Sequence, residues 1–354
     1  MGSPEVKFFD REEEARRLRS ILGGVPHLLY FVYGPINTGK TALLIHLLET
    51  LPEGYCSFYI NFRWRNVRKV EDLIRVLFLV RKQKHAEIKN FLKELIRESS
   101  RALRVLKGIP IPEGVFDLLF GDKESVEDIF AFLEDYFTEI EEEGLKPVLF
   151  LDEMQTIKDL LNASGRPVLS GLFNFFVGMT KERHLVHILC ATSDSLFLEE
   201  VYRDAHLEGR AGYLLVDDLS KERALAVYEE FGFREKEDIW CYLGGKLGDM
   251  IRLYEKKREG WGEREALRAM LLAERTRLEW VLRRAEERGF AEGVGRALEV
   301  LRREGKKRYM ELPDREVRFL VEENVLFYDP VEGMVRPQGR LIERAMEEFG
   351  VGGA

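Results

Sequence analysis

The chain has 354 residues, 45% hydrophobic and 33% charged, enough for two or three folded domains with a substantial core. Its formal net charge of −8 mixes both signs, which excludes a whole-molecule field directed at nucleic acid or membrane. No stretch approaches the roughly twenty apolar residues of a membrane helix, no signal-peptide core opens the chain, and the dispersed Cys56, Cys190 and Cys241 lack metal spacing. A reduced, cytoplasmic protein with no membrane partner is the expectation.

The first predicted strand is the apolar run 28–33. It leads into Gly34-Pro35-Ile36-Asn37-Thr38-Gly39-Lys40-Thr41, which fits the phosphate-loop pattern G-x-x-x-x-G-K-[ST], and Ala42 then begins a helix. Each part has a chemical reason. The glycines let backbone N–H groups curl around phosphate, Lys40 reaches the β- and γ-phosphates, the Thr41 hydroxyl can ligate Mg²⁺, and the helix N-terminus favours an anion. A second strand is expected at 56–62, with Arg63 at its end. Residues 70–143 then read as a helical insertion broken at 108–114, with a basic stretch over 81–107 whose simplest reading is a solvated helix face, the alternative being a contact surface for acidic partners or nucleic acid.

The next strand, 147–152, is buried in character and ends in Asp152-Glu153. Behind a phosphate loop, those carboxylates suit two tasks: Asp152 holding the hydration shell of Mg²⁺, and Glu153 polarising the water that attacks the γ-phosphate. The strand 185–191 ends in Thr192-Ser193-Asp194, where Thr192 or Ser193 can touch the γ-phosphate or the water, or instead cap a turn. Phosphoryl transfer also needs a cation for transition-state charge. Arg210, ahead of the strand 213–217, is the preferred candidate, acting within its own subunit or across a subunit boundary; Arg63 and Arg252 are the others.

From Ser220, a helix N-cap by residue type, the pattern stays helical to about 258, and an amphipathic helix spans about 263–288. The last eighty or so residues read as helices followed by two short strands, 325–328 and 334–336, around the turn residues Pro330 and Gly333.

With these residues in hand, the chain resembles the archaeal ATPase family of the STAND branch of AAA+ proteins. The resemblance rests on Phe8 to Leu18, Gly34 to Thr41, Asp152-Glu153-Met154-Gln155, Gly209-Arg210-Ala211, Leu243-Gly244-Gly245 and Leu320 to Pro330. It departs at Lys246-Leu247, since relatives often carry a proline after the paired glycines. The resemblance implies an α/β additional-strand P-loop domain with parallel strand order 5-1-4-3-2 over 1–218. A helical lid over 219–262 and a winged-helix-like domain over 263–354 would follow. It further implies ATP or ADP with Mg²⁺ as ligands, slow hydrolysis, and Phe9 and Arg11 bordering the adenine. The activity expected is a nucleotide-driven switch acting on a protein partner or a second copy. The alternative is a DNA-associated ATPase gripping duplex DNA through the winged helix, although acidic residues beside Arg315 and Arg318 disfavour it; a small-molecule kinase lacks an acceptor pattern.

Overall fold

Apolar runs placed between helical segments pair in this chain as one parallel sheet. The structure, a computed structural model, describes residues 11–64, 67, 70–81, 91, 106–120, 126–158 and 166–349. The strands are β1 (Leu29–Tyr33), β2 (Tyr55–Asn61), β3 (Phe78–Arg81), β4 (Leu106–Lys107), β5 (Ile109–Pro112), β6 (Lys146–Asp152), β7 (His187–Thr192), β8 (Ala211–Leu215), β9 (Lys307–Arg308), β10 (Leu326–Asp329) and β11 (Met334–Pro337). Six of them form the main sheet in the order β4-β2-β6-β7-β1-β8, every pairing parallel.

The inner strands are continuous hydrophobic runs because both faces are covered. Side chains alternate between the faces. Phe31, Phe58, Leu149 and Cys190 join a core with helices Val126–Glu142, Arg166–Val177 and Ser195–Asp204. Val32, Tyr59, Phe150 and Leu189 point the other way, against Ala15, Leu18 and Leu22 of helix Glu12–Gly23 and Leu43, Leu44 and Leu47 of helix Lys40–Thr50. The C-terminal ends of β1, β6 and β7 thereby open onto one rim, where an open α/β sheet binds its ligand.

The insertion differs from the helical expectation at 78–81 and 106–107, while the strand 109–112 falls in the break expected at 108–114. Residues 78–81 and 109–112 form a separate two-stranded parallel ribbon, β3 with β5, while β4 extends the main sheet beside β2. The reason lies in Ile109-Pro110-Ile111-Pro112. Proline cannot sit in a helix interior, but in an edge strand Pro110 and Pro112 share the side facing away from the partner, leaving the N–H groups of the isoleucines for pairing. Of the basic stretch 81–107, residues 82–90 and 92–105 lie outside the described residues.

The helical region after β8 divides into Lys221–Glu230, Lys236–Leu243 and Leu247–Arg258, interrupted at Gly232 and at Gly244-Gly245. Ser220 caps the first by accepting from the Arg223 N–H at 3.5 Å. Helix Glu263–Glu287 buries Leu267, Met270, Leu271, Leu278 and Val281 of the stripe its sequence spacing predicts, with Leu282, the sixth member, half-buried at its edge. It shares one core with the helices before it and with Ala291–Glu304, Asp314–Glu322 and Arg340–Phe349. The last three strands make an antiparallel sheet, β10-β11-β9.

Candidate functional site

The loop between β1 and helix Lys40–Thr50 takes its shape from two glycines and an asparagine. Gly34 has φ 150° and lies so close to Val216 that a Cβ would overlap its carbonyl oxygen, while Gly39 at φ 94° turns the chain into the helix. Asn37, φ 60°, adopts the left-handed conformation that asparagine tolerates. Thr38 steadies the loop by donating from Oγ1 to the Pro35 carbonyl at 3.1 Å. The backbone N–H groups of Ile36, Asn37, Thr38 and Gly39 donate to no other group among the described residues, which leaves a row of amides at a helix N-terminus. Lys40 folds over this loop, donating to the carbonyls of Gly34 at 2.9 Å and Pro35 at 2.7 Å. Burial, and then the nearby Lys246, pull its ammonium down to about 7.

Thr41, the second residue of the helix, donates from Oγ1 to Asp152 Oδ2 at 2.8 Å. Asp152 closes β6, is buried, and also accepts from the Tyr59 hydroxyl at 2.7 Å on the same oxygen. Asn61 supports this pair from the end of β2, donating to the Tyr59 hydroxyl at 3.1 Å. The Tyr59 hydroxyl is pushed up, first by burial and then by Asp152, so it stays a donor. Glu153 sits in the left-handed region, φ 58°, uncommon for this residue type and confined here to the strand exit. Its Oε2 accepts from Arg63 Nη2 at 2.8 Å and from Gln155 Nε2 at 2.6 Å. Gln155 reaches on to β7, accepting from Thr192 Oγ1 at 2.9 Å and donating to Ser193 Oγ at 3.2 Å. A hydroxyl and a buried carboxylate thus meet beside a cradle of amides and a lysine. This is a donor set for a phosphate ester and a hard cation.

Residues 8–253 match the model of an ATPase domain found predominantly in Archaea, and residues 264–349 match the C-terminal domain of uncharacterized ATP-binding proteins like MJ1010. The chain belongs to the archaeal ATPase family. The uncharacterized ATP-binding protein PYRAB12000 of Pyrococcus abyssi is 40% identical over 96% of this chain and 97% of its own. MJ0147 of Methanocaldococcus jannaschii, described in the same words, is 35% identical over 98% of both. Among solved structures, the Walker-type ATPase PABY2304 of Pyrococcus abyssi superposes with a TM-score of 0.61 over 97% of each chain at 19% identity, a likeness of fold.

In this member of the family the remaining candidates separate. Arg210 lies at the far end of the sheet: its carbonyl accepts from the Leu29 N–H at the start of β1, with Ala211 paired to Leu29. Five residues of strand, about 17 Å, stand between it and Gly34. The expectation that Arg210 serves the γ-phosphate side of its own subunit is therefore corrected; only a second copy could receive it. Arg63 is at the rim, paired with Glu153, and Arg252 pairs with Asp249 at 3.1 Å in the wall of a cavity of about 390 Å³ shared with Ile36 and Asn37. Arg11 is buried, donating to the Thr38 carbonyl at 2.8 Å and to the Asp217 carbonyl; it ties the loop to the exit of β8. Phe9 lies outside the described residues.

Sequence reasoning passed over Tyr59, Asn61, Gln155 and Lys246 as site residues. The first two carry a readable signal, polar groups at alternate positions near the end of an apolar strand. Gln155 has one in its place two residues after Glu153. Lys246 has none beyond following two glycines.

Proposed function

We propose that this archaeal ATPase binds ATP with Mg²⁺ on the Gly34–Thr41 loop and hydrolyses it, using the cycle to alter how its lid and C-terminal unit sit on the sheet. The observation that carries the reading is the 2.8 Å bond from Thr41 Oγ1 to Asp152 Oδ2, with Lys40 on one side and Glu153 on the other. The oxygens of Thr41 and Asp152 fit magnesium, which takes few protein ligands and keeps water and phosphate oxygens for the rest. When bound there, the ion neutralises charge that develops on the β- and γ-phosphate oxygens.

The chain's own residues supply the remaining steps. The free amides of Ile36 to Gly39 and the Lys40 ammonium hold the phosphates, Lys40 exchanging its bonds to Gly34 and Pro35 for phosphate oxygens. Glu153, once parted from Arg63, accepts a proton from water as the water oxygen bonds to the γ-phosphorus and the bond to the bridging oxygen breaks. The products are ADP and inorganic phosphate. Gln155, joined to Thr192, Ser193 and Glu153, aligns that carboxylate with the end of β7.

The switch reading draws support from contacts of the lid with the loop and of the C-terminal sheet with the exit of β8, and the division near 263 from the break between the two family matches, 8–253 and 264–349. Gly248 of the lid donates its N–H to the Asn37 carbonyl at 3.0 Å, and Arg336 of the C-terminal sheet pairs with Asp217. Helix Asp314–Glu322 followed by the β10–β11 hairpin has the order of a winged helix. Duplex DNA is the weaker partner, because the basic cluster at 302–308 is largely neutralised within the chain. Arg302 and Arg303 pair with Glu299, and Lys307 with Glu304 and Glu311.

Steady-state ATP hydrolysis with Mg²⁺, with and without duplex DNA across a salt series, tests the reading. Turnover indifferent to DNA supports the switch; stimulation that fades with salt favours the DNA reading, and absence of turnover removes the hydrolytic claim. Mixing Arg210→Ala with Lys40→Ala protein tests self-association: partial recovery of activity identifies Arg210 as a cation supplied by a neighbouring copy.

A further inference from the structure

Among the described residues two lysines are buried, Lys40 at 8% and Lys246 at 5% exposure. The first belongs to the phosphate loop. The second precedes helix Leu247–Arg258 as its N-cap residue, yet its side chain caps nothing there. It turns instead to the back of the loop, where its ammonium donates to the Ile36 carbonyl at 3.2 Å and lies 3.2 Å from Asp218 Oδ1. Two residues on, the Gly248 N–H holds the Asn37 carbonyl at 3.0 Å. Successive carbonyls at the loop's tip are thus engaged from the lid side.

The stem of Lys246 meets a third element. Gly339, between β11 and helix Arg340–Phe349, has its backbone against this side chain: a Cβ there would overlap Lys246 Cε and stand 3.2 Å from Nζ. The place is walled by other residues of the C-terminal unit, with Gln338 buried alongside. A buried ammonium is costly unless oxygens face it, and here Asp218 and Ile36 supply them. The Lys246 side chain thus lies between the corner at Gly339 and the Ile36 carbonyl of the loop.

We propose that Lys246 is a positioning residue that transmits the docking of the C-terminal corner at Gly339 to the phosphate loop. It holds the Ile36 carbonyl turned to the lid and leaves the loop amides for phosphate. The proposal rests on reading the loop as a nucleotide site, but it makes a mechanical claim that can be read without nucleotide.

The test is a double-mutant cycle on the full chain, Lys246→Ala against Gly339→Ala, with two measurements: the Kd for Mg-ATP and hydrogen exchange of the segment 34–41 without nucleotide. Loss of a charge-assisted bond to the loop is expected to raise Kd about tenfold in Lys246→Ala. Gly339→Ala is expected to raise Kd and exchange in the presence of Lys246 and to change neither in the Lys246→Ala background, where the stem it would strike is gone. Equal effects of Gly339→Ala in both backgrounds overturn the proposal, as does wild-type behaviour of both single variants. Should Lys246→Ala fail to fold, Lys246→Met keeps the stem without the ammonium and must lose loop protection; unchanged protection there is equally contrary. A wild-type chain that binds no ATP contradicts the nucleotide reading alone, and the exchange measurement still decides the coupling.

Discussion

Tyr33, the last residue of β1, donates its hydroxyl to Asp329 Oδ1 at 2.9 Å, so the residue leading into the phosphate loop is bonded to the C-terminal hairpin. Both are buried, and the Tyr33 hydroxyl is pushed up by that burial and then by Asp329, which keeps it a donor. Asp329 is itself fixed by the N–H groups of Val331 and Glu332 at 2.9 and 3.2 Å. Around this bond lie the Arg336–Asp217 pair and the contact of Arg318 with Glu199 at 3.2 Å. Loop, sheet and C-terminal unit are thereby one connected structure.

Tyr33→Phe should cost about 1 kcal/mol of stability, the net worth of one buried hydrogen bond. In urea denaturation, Tyr33→Phe combined with Asp329→Asn should lose less than the sum of the single losses. Strict additivity would mean that the two groups do not interact.

Lys40 gives nucleotide binding a pH dependence of defined sign. Its ammonium stands at about 7 without ligand, against an ordinary 10.5, and phosphate contacts favour the charged form. Affinity for Mg-ATP should therefore be full below pH 7 as far as Lys40 is concerned and fall between pH 7.5 and 9, toward about tenfold per unit, with uptake of a proton. Calorimetry in buffers of different ionisation enthalpy reads that proton directly. Binding without uptake at pH 8 would be contrary.

Arg63 is mostly exposed and pairs with the less exposed Glu153, so the pair adds little stability. Arg63→Ala should leave the thermal midpoint within about 2 °C while raising basal ATP turnover severalfold, because Glu153 is freed. A hundredfold fall in turnover would instead make Arg63 the transition-state cation.

His187, at the start of β7, is held down to about 4 by burial, partly offset by the Gly24 carbonyl at 3.3 Å. The unfolded chain takes up this proton near 6.5 and the folded chain only near 4, so stability is lost as pH falls through that window, by about 2 kcal/mol at pH 5. Urea midpoints at pH 7 and pH 5 should separate further for the wild type than for His187→Gln. Equal separations would place the acid sensitivity elsewhere.

The parallel α/β sheet and the loop at the end of its first strand were legible because they depend on local pattern: apolar runs for β1, β6 and β7, and glycines at Gly34 and Gly39 where the backbone turns. The heptad-like spacing of Leu267, Met270, Leu271, Leu278 and Val281 likewise fixes which face of a long helix is buried. What escaped depends on contacts between distant segments. Nothing local to Lys246 announces the Ile36 carbonyl 210 residues away. Arg210 is a different case: a residue ahead of a strand in a parallel sheet stands at the end opposite the loop that follows β1, a consequence that sequence reasoning passed over. The ribbon of β3 and β5 was half legible: the prolines mark the break at 108–114, but helix-favouring, charged neighbours hid the strands at 78–81 and 106–107.

The central claim is that the bond between Thr41 and Asp152 marks a magnesium-dependent hydrolytic site with Glu153 as its base. Single-turnover hydrolysis of Mg-ATP by wild type, Lys40→Ala and Glu153→Gln tests it most directly when paired with nucleotide binding to each. The account predicts that Lys40→Ala loses binding, while Glu153→Gln binds ATP as wild type does and hydrolyses it about a hundredfold or more slowly. Undiminished hydrolysis in either variant, or equal losses of binding and turnover in Glu153→Gln, would contradict it.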